Sequence, residues 1–166
     1  MSKQDTQKAA AAFIDSGYEY SGKGDHDKAI ADYNKAIKLD NNNPEAYYLR
    51  GIAYFDKRDY NKAIADYNKA ININSKFAAI YCNRGMAYKE KGDNKKALAD
   101  YDKAIEIDPK YAIAYVNRAS LYSVISVATL DMAIKDYNSV LQIDPNNANA
   151  KKGLAVINEF TKNIVG

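Results

Sequence analysis

The chain has 166 residues, 47% of them hydrophobic and 27% charged, a balance that excludes a disordered chain and suffices for one domain or a short repeat array. Its 24 Lys and Arg against 21 Asp and Glu leave a net charge of +3, too mild and too interspersed to point to nucleic acid. The single Cys82 cannot form an internal disulfide, and no apolar run approaches the length of a membrane span.

The sequence repeats itself every 34 residues, as Tyr47, Tyr81 and Tyr115 show. Gly17, Gly51 and Gly85 keep the same interval, and so do Tyr20, Tyr54, Tyr88 and Tyr122. The string ADYNKAI at 31–37 recurs at 65–71 and returns as ADYDKAI at 99–105. Such a period predicts stacked units, each burying its apolar face on its neighbours. Aligned, repeat one is 10–43, repeat two 44–77, repeat three 78–111 and repeat four, two residues longer, 112–147.

Each unit reads as two helices. In repeat two, Pro44 opens the first helix, which runs to about Lys57. A polar turn follows at Arg58-Asp59, and the second helix continues to about Ile73. Tyr60, Ala63, Ile64, Tyr67, Ala70 and Ile71 form its apolar stripe, with Asn61, Lys62, Asp66 and Lys69 on the solvent side. The first helix has two apolar faces, Tyr47–Gly51–Tyr54 and Tyr48–Ile52–Phe55, so it meets more than one neighbour or a ligand. A last helix at about 148–164 carries Ala150, Leu154, Ile157, Phe160 and Ile164 on one stripe and lysines opposite, as a terminal cap requires. The expected fold class is all-α: an α-solenoid of four helix–turn–helix units over 1–147 and a C-terminal capping helix at 148–166.

These residues resemble the tetratricopeptide repeat (TPR). Repeat three carries the pattern through Tyr81, Gly85, Tyr88, Gly92-Asp93, Ala97, Tyr101, Ala104 and Pro109. Repeat one matches through Phe13, Gly17, Tyr20, Gly24-Asp25, Ala29, Tyr33 and Ala36. Repeat two has Arg58 in place of the turn Gly and Ser75 in place of the Pro, while repeat four has Ala119 for Gly and lacks the Gly-Asp turn. The resemblance implies a right-handed solenoid whose first helices line a concave groove. It also implies a non-enzymatic module that binds a peptide or protein segment, with no cofactor and no metal.

On that geometry the inward stripe holds Ile14 and Tyr18, then Tyr48, Ile52 and Phe55, then Cys82, Met86 and Lys89, then Val116, Ser120 and Ser123. Asn83 and Asn117 lie deeper, in equivalent places. Such amides either pair with the backbone of an extended peptide, as in some family members, or bond to the neighbouring helix. A clamp for a C-terminal carboxylate is not expected, because Ile14, Tyr18 and Ala79 occupy its Lys and Asn places. Arg50, Arg84 and Arg118 recur with Asp32, Asp66, Asp100 and Asp136. They read as an Arg–Asp ladder, as a basic row facing an acidic ligand, or as stems over apolar surface with their heads in water.

Val124, Ile125 and Val127 break the pattern with an apolar turn in repeat four. It either packs on the cap helix or serves self-association into a homo-oligomer. No nucleophile–base pair, metal cluster or phosphate loop suggests an enzyme. His26 stands alone and reads as a packing or surface residue. The simplest compartment is the cytoplasm, with neither nucleic acid nor membrane as partner.

Overall fold

The computed structural model describes residues 3–165. In chain order these form α1 (Lys3–Gly22), α2 (His26–Leu39), α3 (Pro44–Asp56), α4 (Tyr60–Ile73), α5 (Ala78–Glu90), α6 (Asn94–Ile107), α7 (Ala112–Ile125), a 3₁₀ turn (Val127–Thr129), α8 (Leu130–Ile143) and α9 (Ala148–Val165). No strand occurs among the described residues. The fold is an all-α repeat solenoid closed by a cap helix. α1 starts ahead of the first repeat position because the alanine-rich segment before Phe13 favours helix by itself.

The second helices start on aspartate caps. Asp25, Asp59 and Asp93 each accept a bond from the backbone N–H three residues on, at 3.2 Å. Each also pairs with the lysine at that position, Lys28, Lys62 or Lys96. The residue before each cap takes a left-handed backbone: Gly24 at φ 76°, Gly92 at φ 78° and Arg58 at φ 61°. Arg58 thus adopts the turn of the glycines it replaces. In repeat four that turn is gone, and the Thr129 hydroxyl instead donates to the Tyr122 carbonyl to close the loop.

Each first helix packs on its own second helix, and each second helix packs on the first helix of the next repeat. Successive first helices also touch (α1 with α3, α3 with α5, α5 with α7), whereas no second helix touches another among the described residues. The stack therefore curves toward the first helices, which form its inner wall.

The repeated residues explain the close spacing. An added Cβ at Gly17, Gly51 or Gly85 would lie 2.5, 2.6 or 2.8 Å from the ring of Tyr33, Tyr67 or Tyr101. These tyrosines are fully buried and each occupies the space a side chain at the glycine would need.

Asp66 departs from the solvent side expected for it. It is buried, as are Asp32, Asp100 and Asp136. Arg50, Arg84 and Arg118 each hold the buried aspartate of their own repeat with two bonds of 2.6–2.8 Å. The third nitrogen of each reaches Asn34, Asn68 or Asp102 in the preceding repeat. The arginines are thus a ladder tying three helices together, and neither a row offered to a ligand nor heads held in water. In repeat one, Ser16 takes the arginine place and donates to Asp32 at 2.6 Å, while Lys35 supplies the positive charge.

The cap helix buries Ala150 and Ile157, with Leu154 half-buried, on α8 and α7. Phe160, expected on that stripe, stays 46% exposed, and the Ile164 side chain lies outside the described residues. No helix among the described residues is long and apolar enough to cross a membrane.

Candidate binding groove

The inner wall presents one face of α3 and one of α5. Ile52 and Phe55 from α3 converge with Asn83 and Met86 from α5 on a cleft of about 160 Å³. Tyr67 and Asp56 complete its lining; neither stands out in the sequence as a groove residue, Tyr67 because it reads as core. A second cleft, of about 570 Å³, opens where the wall meets the loops before α3 and α5. Pro44, Tyr48, Phe77, Ala79 and Ile80 form its apolar side, with Asp40 and Glu45 at its edge. Phe77 was visible only as the last residue of repeat two, where repeats one and four have asparagine. It heads α5 without a side-chain cap bond and is exposed.

The other inward residues differ in access. Tyr18 is 67% exposed on α1. Ile14 does not line the groove: at 6% exposure it packs with Ala36 and Ala46 in the core between α1, α2 and α3. Cys82 is also withdrawn, fully buried against α6 and α7. Burial pushes its thiol up to about 11, only partly offset by a bond from Asn117, so no reactive thiolate forms near neutral pH.

Both asparagines bond to the neighbouring helix. Asn83 donates to the Tyr48 hydroxyl at 3.0 Å, and Asn117 donates to Cys82 Sγ at 3.4 Å. Burial raises the Tyr48 pKa, so the phenol stays protonated and accepts this bond. Asn83 therefore orients a groove side chain of the adjacent repeat, whereas Asn117 bonds to a buried one. Each keeps its carbonyl oxygen, an acceptor of two bonds, for other use.

Near the groove, His26 Nδ1 lies 3.9 Å from Asp56, too far for a hydrogen bond. Among the described residues no group of three His, Cys, Asp or Glu is placed to hold a metal ion. At the far end, the turn of repeat four and α9 face each other across a cleft of about 320 Å³ lined by Val124, Val127, Leu130, Val156, Ile157 and Phe160. The turn is left uncovered by the cap, with Val124 73% and Val127 62% exposed and Ile125 exposed beside them.

A family profile for the TPR repeat matches residues 17–58 and 53–92, and one for the tetratricopeptide repeat matches 78–111. Together they span more than half of the chain and stop where repeat four begins to depart from the pattern. No curated protein matches. Among solved structures, the MamA protein superposes with a TM-score of 0.79 at 28% identity, over 92% of this chain and 82% of that one. The Arabidopsis OM64 TPR domain does so at 0.66 and 30% identity, over 70% of this chain and 95% of that one. The first TPR of Spaghetti (RPAP3), bound to the HSP90 peptide SRMEEVD, gives 0.70 and 26% identity, over 72% of this chain and 94% of that one. The chain belongs to the tetratricopeptide-repeat family.

Proposed function

We propose that this chain is a non-enzymatic interaction module, an adaptor that holds a peptide or protein segment in the concave groove. One observation carries the reading. Ile52, Phe55 and Met86 are only partly buried, converge on one cleft of the inner wall and leave apolar surface without a partner. Aromatic residues and Met are favoured anchors at such surfaces. Tyr18, Tyr48, Asn83, Val116 and Asn117 extend the contact along the array. The similarity to a TPR domain bound to a peptide supports this use of the fold. A carboxylate clamp is not part of this reading, because Ile14 and Tyr18 supply none of the charge it needs.

The test is titration of a labelled peptide library by fluorescence anisotropy against the chain and its Phe55→Ala/Met86→Ala variant. The variant loses at least about tenfold in affinity, equal to about 1.4 kcal/mol, with a melting curve close to the parent's. Equal affinity of the two proteins overturns the reading.

A second reading is a self-associating scaffold, favoured by the exposed Val124, Ile125 and Val127 beside Phe160. Sedimentation would then depend on concentration, and Val124→Glu/Val127→Glu would abolish that dependence. A monomer at all concentrations removes it.

A further inference from the structure

We infer that the segment held in the groove is cationic as well as apolar. The inference rests on the groove reading above and specifies the partner's chemistry.

Both clefts of the inner wall carry carboxylates at their apolar linings, Asp56 in the smaller and Asp40 with Glu45 in the larger. Among the described residues no Lys or Arg lines either cleft. Asp15, exposed on α1 in the register that Asn83 and Asn117 occupy, continues the same sign toward repeat one. Lys89, the cation of the inward stripe, lines neither cleft.

These acids also differ in their partners from the cap aspartates and from the aspartates of the arginine ladder. Asp25, Asp59 and Asp93 are paired with lysines, and Asp66, Asp100 and Asp136 with arginines. Among the described residues Asp15, Glu45 and Asp56 form no ion pair with Lys or Arg, and His26 approaches Asp56 at 3.9 Å. Glu45 and Asp56 are exposed on α3, at the clefts themselves, and Asp15 is exposed on α1.

Carboxylates beside apolar walls attract a cation more strongly than the same groups in open water. The side chains at hand favour arginine in particular. Its planar guanidinium stacks on an aromatic face such as Tyr48 or Phe55 while bonding to a carboxylate. A partner with Arg next to large apolar residues meets both requirements, and an acidic partner is repelled.

The experiment uses two labelled peptides with the same apolar residues, one with arginine and the other with glutamate at the remaining positions. Their anisotropy is followed against the whole chain at about 50 and about 300 mM salt. The arginine peptide binds at least about tenfold tighter than the glutamate peptide, and its affinity falls with salt. Glu45→Gln and Asp56→Asn each weaken it about two- to fivefold without changing the melting curve. Equal or tighter binding of the glutamate peptide overturns the charge inference and leaves the groove reading standing. So does an unchanged affinity in both variants. Failure of both peptides to bind overturns the two together.

Discussion

Arg84 grips Asp100 with two parallel bonds, Nε to Oδ2 at 2.8 Å and Nη2 to Oδ1 at 2.6 Å. Its remaining nitrogen, Nη1, donates to Asn68 of the preceding repeat at 2.7 Å, so one side chain couples the stacking within a repeat to the stacking between repeats. The pair is largely buried, with side-chain exposures of 19% and 8%. Asp100→Ala strands the guanidinium and costs about 2–4 kcal/mol in urea denaturation. Arg84→Met/Asp100→Leu recovers much of that loss, because an apolar pair leaves no buried charge. A loss below about 0.5 kcal/mol for Asp100→Ala would reduce the ladder to a surface contact.

The glycines of the first helices are places of contact. At Gly51 an added methyl would stand 2.6 Å from the buried ring of Tyr67. Gly51→Ala therefore destabilises by about 1–3 kcal/mol, even though alanine is the better helix former. Gly22→Ala, which meets no atom within 4 Å, does not destabilise. Thermal melting of the two variants separates the cases, and equal curves would contradict the close approach.

Arg58 holds a left-handed backbone at φ 61°, where Gly24 and Gly92 stand at 76° and 78°. A side chain in this region costs about 1–2 kcal/mol, partly offset by the freedom that glycine adds to the unfolded chain. Arg58→Gly raises stability by up to about 1 kcal/mol, and Gly92→Arg lowers it. Destabilisation by Arg58→Gly would show that the arginine side chain contributes more than the backbone strain removes.

The cap of α6 sets a direction for acid sensitivity. The Lys96 side chain, and after it the Lys96 backbone N–H, holds the Asp93 carboxyl below the usual carboxylate range. Lys28 and Lys62 do the same for Asp25 and Asp59. A depressed folded-state pKa contributes fully above the unfolded value of about 3.9 and is lost as pH falls through the folded one. Melting temperature is therefore flat from about pH 7 to 5 and drops below about pH 4. Asp93→Ser keeps an oxygen for the cap and makes the acid drop smaller. A loss centred near pH 6 would point to a different group.

The period and the helix pairs were legible because Gly, Ala and Tyr recur in fixed places with one packing role. Asp66 was not. Flanked by Ala65 and Tyr67 and three residues from Lys69, it reads as part of a wet face, and only the arginine of another helix brings it inside. Ile14 and Cys82 were misplaced for a related reason. They share the register of Tyr48, but α3 covers the shorter Ile14 and Asn117 of the next repeat covers Cys82. The cleft at Phe77 depends on two loops from different repeats meeting, which no single period records.

On the proposed function, the inner wall of α3 and α5 receives the partner. Hydrogen exchange of the chain, free and with its tightest-binding peptide, tests it most directly. Added protection is expected over Tyr48–Phe55 and Asn83–Met86, with α4 and α6 unchanged. Protection confined to Val124–Leu130 and α9, or to the outer helices, would contradict it.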